Sequence, residues 1–421
     1  MFKIFVSAFF ILSILQCSAP QKKEEIKTEK IEEKIIKEKE PIKPPEPKDP
    51  FDIYSKKENT NLKKKDTLGT LTIPIYSTQS ALVTYDSADD ANISINIGSE
   101  ANVNCVYSKD DYVVGTYLKS LTKKLSSSKA VATYRIRSYN TSLINKFPTI
   151  FFLYEYITKD NLYGNLKIMV TNRTARGSLI CAHDEPGYIK TFQKVVKSIL
   201  DSKPVSMQFT VPGKYKHNLI YLVYLNDTPI GYTESYTFSQ GADHLLSVSN
   251  ELIILAPSGT ELMTNEMKIT ISSDAITGET LDYKIVSFQN GKKRADLSLR
   301  KKGTKKYKVK GVFLGKSIDK TLTSEYKVID SGNAISLFIK QHIRKKIEKY
   351  NYSEFNHSKP NTLSKAELIY MQKENSLHRI KYRTIQNFSM NIITDNNSPT
   401  EMNFQLGEKS FQYKRVLNEM K

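Results

Sequence analysis

The chain has 421 residues, and its 63 lysines and arginines outnumber its 44 aspartates and glutamates, giving a formal net charge of +19. Its three cysteines are too few for a disulfide-dense scaffold. A mean hydropathy of −0.43 excludes a protein that crosses a membrane many times. Because the length allows two or three domains, composition indicates a soluble, basic protein of several domains.

Residues 1–16 have the pattern of an export signal. Lys3 precedes an uncharged, mostly apolar run over residues 4–15, which is too short to span a bilayer but typical of a signal-peptide core. The run closes at Ile14-Leu15-Gln16-Cys17, which resembles the relaxed lipobox of spirochaete lipoproteins, although Gln16 departs from the small residue usual before the cysteine. An ordinary cleaved signal and an uncleaved anchor are the alternative interpretations.

The lipobox resemblance implies a cellular location. In that family the cysteine is acylated and begins the mature protein, so Cys17 would hold the chain at the membrane of the cell envelope through its acyl chains. Ser18 in place of aspartate favours the outer membrane over the inner, with periplasmic or surface exposure left open. Residues 17–67 are rich in lysine, glutamate and proline, so we expect a disordered tether there. A proline-rich recognition motif is the other interpretation.

Residues 68–202 are predicted to form an α+β domain, an antiparallel sheet with two helices, because strand patterns alternate with two helical stripes. The order of these elements resembles the Mog1/PsbP-like and DcrB-like fold shared by many bacterial lipoproteins, which implies no functional residues. Cys105 and Cys181 both fall in alternating strands. In an exported protein they are candidates for a disulfide, and two buried free thiols are the alternative.

Residues 203–421 are predicted to form a mainly β domain. Asn290-Gly291 is the preferred pair for a type I′ hairpin and is the clearest local signal. Ten or more strands in sequence order have to curl, close or stack, so we expect a long antiparallel meander that forms a curved sheet, a sandwich or a half-barrel. The stretch Tyr221…Gly231-Tyr232-Thr233-Glu234 resembles the start of periplasmic curved-sheet domains, which are similar to lipoprotein-carrier half-barrels.

Positive charge is concentrated in this second predicted domain, where residues 292–349 hold 18 lysines and arginines against 5 acidic residues. The residues of the predicted basic patch are Lys292, Lys293, Arg294, Arg300, Lys301, Lys302, Lys305, Lys306, Lys308 and Lys310. Such a patch predicts an anionic partner: lipopolysaccharide, an anionic glycan, a host polyanion or another envelope protein. The alternative is lysines that cover the solvent face of a sheet and protect its edges. Nucleic acid is disfavoured by the export signal.

Catalytic and metal-binding patterns are absent from the sequence. It has no nucleophile elbow, P-loop, dinucleotide-binding glycine motif, zinc-protease motif or CxxC pair, and its six histidines lack metal-ligand spacing. We therefore expect no enzyme, no metal and no cofactor. Two function classes are left open: an envelope protein that binds or scaffolds, and a periplasmic carrier that shields a lipid or acyl chain in the curved sheet. A host-facing adhesin is a third possibility, and it would need exposure on the cell surface.

Overall fold

The computed structural model describes residues 67–68, 71–72, 82–85, 90–96, 102–108, 114–144, 146–173, 177–184, 187–201, 215–258, 261–384 and 388–420. The predicted lipidation site Cys17 and the predicted tether up to residue 66 lie outside the described residues. Within the described ranges, no helix is both long enough and apolar enough to cross a membrane.

The described residues before 202 form a small hairpin and a seven-stranded antiparallel sheet. The strands are β1 (Thr67–Leu68), β2 (Leu71–Thr72), β3 (Leu82–Tyr85), β4 (Asp90–Asn96), β5 (Asn102–Ser108), β6 (Val131–Ile144), β7 (Phe147–Thr158), β8 (Tyr163–Arg173) and β9 (Gly177–His183). The helices are α1 (Val114–Ser127) and α2 (Ile189–Asp201). Strands β1 and β2 pair with each other, and the order in the larger sheet is β3-β4-β5-β9-β8-β7-β6.

Helices α1 and α2 pack on opposite faces of the seven-stranded sheet. Their apolar residues recur at helical spacing, so each helix has one side that gains from leaving water. Phe192 and Val196 of α2 are buried against one face, beside Cys105 and Cys181. Val114 and Leu118 of α1 are buried against the other face.

The described residues after 214 form one antiparallel sheet of fourteen strands. The strands are β10 (Tyr215–Leu225), β11 (Thr228–Gln240), β12 (His244–Ser258), β13 (Glu261–Asp274), β14 (Thr280–Gln289), β15 (Lys292–Gly303), β16 (Lys306–Phe313), β17 (Lys316–Thr323), β18 (Lys349–Phe355), β19 (Leu363–Glu374), β20 (Leu377–Thr384), β21 (Ser389–Thr394), β22 (Pro399–Leu406) and β23 (Lys409–Met420). Helix α3 (Ser331–Lys345) separates β17 from β18.

Two meanders, β10–β17 and β18–β23, are joined because the last strand, β23, pairs with β10. The sheet edges are therefore β17 and β18. The segment before α3 connects distant parts of the sheet, since the Thr280 amide donates to the Val328 carbonyl at 2.8 Å and the Ile329 amide donates to the Ser353 carbonyl at 2.9 Å. These bonds bring the start of β14 close to β18, so the sheet is held in a curve.

Helix α3 lies on the concave side of this curve. Ala334, Ile335, Phe338 and Ile339 of α3 are buried in a core with inward-facing residues of β10, β12 and β18–β23. Because strands from both meanders contact the same helix, the sheet wraps around α3. A second core covers the inner face of β13–β17 and includes Val328 and Phe355.

The main architectural expectation is confirmed in coarse form: the chain is mostly β, with two large antiparallel sheets and three helices among the described residues. The type I′ hairpin is confirmed, since Asn290 and Gly291 have φ of 50° and 72° between β14 and β15. Residues 244–258 form one continuous strand, β12. Its polar centre, Ser249-Asn250, looks like a turn in sequence but pairs with β11 and β13 on both sides.

Candidate functional site

The predicted basic patch lies on β15 and β16, near one edge of the fourteen-stranded sheet. Along β16, Tyr307 and Val309 are buried, whereas Lys306 and Lys310 are exposed. The alternation follows from the two-residue period of a strand, which sends successive side chains to opposite faces. The strand therefore carries its positive charge on the outer face.

Four nearby carboxylates pair with half of the cations of the patch. Five of its ten cations take part in ion pairs: Lys293 with Asp296, Arg300 with Asp282, Lys301 with Glu279, and both Lys308 and Lys310 with Asp319. The side chain of Lys301 lies on the inner face of the sheet, the same face as that of Leu299 two residues before it. Its ammonium lies 2.9 Å from a Glu279 oxygen. An anion from outside that bound these five side chains would compete with an existing carboxylate at each of them.

Three other patch lysines converge at the turn between β15 and β16, and we call Lys302, Lys305 and Lys306 the basic tip. All three are exposed, and none makes an ion pair within the described part of the chain. Lys305 has a φ of 58°, which belongs to the tight turn that brings the three residues together. The remaining members, Lys292 and Arg294, lie at the opposite end of β15.

Cys105 and Cys181, the predicted disulfide candidates, are joined by a disulfide. They lie directly opposite each other on the adjacent strands β5 and β9. Both are buried under α2 in the core of the seven-stranded sheet. The bond closes a loop with a sequence separation of 76 and connects an early strand to the last strand of that sheet.

A single carboxylate connects the two sheets where α1 begins. Glu266 on β13 accepts hydrogen bonds from the backbone amides of Val114 and Gly115, at 2.8 and 2.6 Å. The first amides of a helix have no partner within it, and a carboxylate at that end also interacts well with the helix dipole. Burial raises the pKa of Glu266 from 4.5 to about 7, against the lowering effect of the two amides.

The contact at α1 is too close for a side chain at Gly115. A Cβ atom there would lie 2.1 Å from the Thr264 hydroxyl oxygen and 2.8 Å from the Gly291 nitrogen. The Thr116 hydroxyl also donates to the Gly291 carbonyl at 3.2 Å. The β14–β15 hairpin that sequence predicted therefore forms part of a junction between the sheets that sequence did not predict.

The junction continues as an apolar interface. Leu222, Tyr232 and Leu252, on the face of the large sheet opposite α3, share a core with residues of α1 and of β7–β9. At its border the Lys146 ammonium lies 2.6 Å from Glu419. Partial burial opposes ionisation of Glu419, but hydrogen bonds from Lys146, Tyr215 and Asn218 prevail and lower its pKa to about 2.

A small cavity opens at the start of α3. Its lining consists of Thr280, Tyr283, Val328, Ile329, Asp330, Ser331, Glu354 and Phe355. The Glu354 carboxylate accepts hydrogen bonds from the Tyr382 hydroxyl at 2.6 Å and the Ser331 hydroxyl at 3.0 Å. Burial raises its pKa to about 7, these two bonds lower it, and the charge of Asp330 raises it. We call this space the α3 cavity.

Tyr283 also lines the α3 cavity, and its hydroxyl has no hydrogen-bond partner among the described residues. Burial raises the pKa of Tyr283 well above its usual value. The negative charges of Asp330 and Glu354 raise it further. None of these residues was singled out from sequence. The alternation of β18 contains a signal, since Glu354 shares the inward parity of the buried Tyr352.

Histidine and cysteine do not form a metal centre in the described ranges, where no group of three or more His, Cys, Asp or Glu residues is arranged to hold an ion. His183, at the end of β9, is buried with its Nδ1 2.9 Å from the Asn102 carbonyl. Its position suits a role in packing.

Comparisons with known proteins give little guidance. No protein-family model matches the sequence, and no curated protein matches it. Among solved structures, the chain is similar to a beta-barrel-like protein of the domain of unknown function DUF1849 from Brucella abortus, with 11% identity and a TM-score of 0.40. The match covers 49% of this chain and 98% of that chain. A likeness this weak transfers no function.

Proposed function

We propose that this protein is a lipid-anchored, non-enzymatic protein of the bacterial cell envelope that binds or scaffolds, and that its basic tip engages an anionic partner. The observation that carries the proposal is the exposed positive charge of the basic tip. Lys302, Lys305 and Lys306 are exposed at one turn and have no carboxylate partner among the described residues, whereas five neighbouring cations are paired.

The anchor is the second part of the proposal. Acyl chains on Cys17 would hold the protein at a membrane, more favourably the outer one, and residues 17–67 would act as its tether. Residues 68–202 would form the α+β domain predicted from sequence, and residues 203–421 the β-rich domain. In this arrangement the tip meets whatever anionic groups lie within reach of the tether. A net charge of +19 favours that encounter at long range, and salt weakens it.

The chemistry of the tip favours a partner with several closely spaced anionic groups. A lysine ammonium is a point charge with three donors and binds phosphate or sulfate without the planar geometry that arginine requires. Phosphates of lipopolysaccharide and the acid groups of a glycan fit this description, as does an acidic patch on another envelope protein. Nucleic acid is not part of the proposal, because the export signal would separate the two.

Heparin is a suitable probe, since it is a soluble polyanion. We expect the full chain, purified in detergent, to bind immobilised heparin and to lose most of its retention when Lys302, Lys305 and Lys306 are replaced by glutamate. The matched control replaces Lys119, Lys123 and Lys124, exposed on α1, by glutamate. This variant changes net charge equally and should elute close to the wild type. An equal loss of heparin retention in both variants would show that net charge alone determines binding, and would contradict the proposal.

A carrier of a lipid or acyl chain is the second candidate, favoured by the curvature of the large sheet. The concave side is occupied by α3, whose Phe338 and Ile339 are buried in the sheet core. An acyl chain could enter this core only if α3 moved out. Organic extraction of the purified protein followed by mass spectrometry tests the idea, and protein free of bound lipid after expression in a bacterial host would remove it.

A further inference from the structure

The hairpin between β16 and β17 ends in an exposed apolar turn. Phe313 pairs with Lys316, so Leu314 and Gly315 are the two residues of the turn. Leu314 is 47% exposed, and Val312 beside it is 45% exposed. A Cβ atom added to Gly315 would meet nothing within 4 Å, so the turn projects into open space. We call Val312 and Leu314 the apolar turn.

The backbone at Leu314 favours a different residue. Leu314 and Gly315 have φ of 52° and 78°, as in a type I′ turn, which prefers asparagine, aspartate or glycine at its first position. Four other two-residue turns of the same sheet begin with a positive φ, at Asn226, Asn290, Asn375 and Gly407. A bulky residue in this region is an outlier. Such strain, at a side chain that stays nearly half exposed, points to a role outside folding.

Cations surround the apolar turn. The backbone amide of Leu314 donates to the Arg294 carbonyl at 2.7 Å, so the start of β15 lies beside the turn. The cations at this place are Lys292, Lys293, Arg294 and Lys316. One acid of β15, Asp296, accompanies them and pairs with Lys293 at 3.1 Å. The apolar side chains therefore project from a surface of net positive charge.

This combination suits the surface of a lipid bilayer. Apolar side chains that project from a fold enter the boundary between headgroups and acyl chains, while neighbouring ammonium groups stay at the anionic phosphates. A protein partner would need a groove shaped for Leu314, whereas a bilayer needs no complementary shape. The apolar turn is also distinct from the basic tip, because the eight residues of β16 separate the two by roughly 25 Å.

We propose that the β16–β17 hairpin inserts its apolar turn into the surface of a membrane that contains anionic phospholipid, with Lys292, Arg294 and Lys316 at the headgroups. This contact adds a second attachment to the acyl anchor proposed at Cys17. It would hold one end of the β15–β17 strands against the bilayer. The contact is independent of the basic tip, which is free to engage another anion.

Tryptophan fluorescence tests the contact directly, because the chain contains no tryptophan. Leu314→Trp places a single fluorophore at the turn of the full chain. With vesicles of phosphatidylglycerol that carry brominated acyl chains, we expect its emission to shift to shorter wavelength and to lose most of its intensity. Vesicles of brominated phosphatidylcholine should quench it less. The control is Ser376→Trp, in the exposed β19–β20 turn, whose emission should stay unchanged with both lipids.

Charge variants in the Leu314→Trp background separate this contact from the basic tip. Replacing Lys292 and Lys316, both exposed, by glutamine should reduce quenching by phosphatidylglycerol vesicles towards the phosphatidylcholine level. Replacing Lys302, Lys305 and Lys306 by glutamate should leave most of the quenching in place. Loss of heparin retention in that second variant therefore reports on the basic tip, and loss of quenching in the first reports on the hairpin.

Leu314→Asn needs no fluorophore and serves if Leu314→Trp fails to fold. Asparagine suits the turn, so this variant should unfold at the same temperature as the parent or higher. In the Cys17→Ala background, where no acyl chain holds the protein, it should bind phosphatidylglycerol vesicles several-fold more weakly than its parent in flotation. The proposal is overturned if vesicles leave the Leu314→Trp emission unchanged, if they quench Ser376→Trp equally, or if Leu314→Asn binds as tightly as its parent.

Discussion

The two sheets use helices in opposite ways. The seven-stranded sheet carries its helices outside, with α2 on one face and α1 together with the large sheet on the other. The fourteen-stranded sheet curves around α3 and keeps the helix inside. A sheet whose two faces are both apolar needs cover on both sides, and these sheets obtain it from different sources.

The difference determines what holds each part together. In the smaller sheet a disulfide connects β5 to β9, so covalent restraint assists a modest core. In the larger sheet, restraint comes from burial of α3 and from pairing of the last strand with β10. The two sheets should therefore respond to different perturbations, and the predictions below test that separation.

The largest effect is expected at the centre of α3. Phe338→Ala should destabilise the fourteen-stranded sheet by about 3–5 kcal/mol, because Phe338 is fully buried and its removal leaves a cavity. Urea unfolding followed by hydrogen exchange would locate the loss. Lys340→Ala, exposed on the same helix, is the control and should change stability little. A similar cost for both variants would contradict the placement of α3 inside the sheet.

Removal of the disulfide should affect the other sheet. Replacing Cys105 and Cys181 by alanine should cost about 4 kcal/mol in the chain-entropy model, given the sequence separation of 76. Hydrogen exchange should accelerate in β4, β5 and β9 and change little around α3. Cys17→Ala is the matched control, since it removes the remaining cysteine. Equal acceleration in both sheets would show that they do not respond separately.

The junction between the sheets should respond to pH. The pKa of Glu266 is raised from 4.5 to about 7 in the folded protein, so between these values the folded state holds a proton that the unfolded state has released. The contribution of Glu266 to stability should therefore be complete below pH 4.5 and fall by roughly 3 kcal/mol as pH rises to about 7.

Glu266→Gln isolates this contribution, because an amide does not titrate in this range. The fall between pH 4.5 and 7 should be smaller in the variant, by the part due to Glu266. Glu354, whose pKa is also raised to about 7, titrates in both proteins and cancels in the comparison. The control is Glu408→Gln, which changes an exposed carboxylate in the β22–β23 turn and should retain the wild-type dependence of stability on pH. The same wild-type dependence in Glu266→Gln would contradict the assignment of the effect to Glu266.

Local features were predictable from sequence, and long-range pairings were not. Alternation identified most strands, and Asn290-Gly291 fixed a hairpin because its geometry depends only on adjacent residues. The pairing of β23 with β10 could not be predicted, since it joins strands far apart in the chain. The position of α3 inside the curved sheet depends on that pairing, so it could not be predicted from sequence either.

The partial neutralisation of the basic patch shows why sites are harder to predict than strands. Asp282 lies opposite Arg300, but counting outward from the Asn290-Gly291 turn would place Leu299 there. A register shift between Ser287 and Phe288 changes the alignment by one residue. Sequence could therefore identify the ten cations but not which of them were already paired.

The attachment of the chain to a membrane is the claim on which the proposed function depends, because an anchored basic tip meets only the anions near that surface. The direct measurement is the intact mass and membrane fractionation of the protein expressed in a bacterial host, beside Cys17→Ala. We predict a mature chain that begins at an acylated Cys17 in the membrane fraction, with both features lost in the variant. A soluble, unacylated product from both genes would contradict the account.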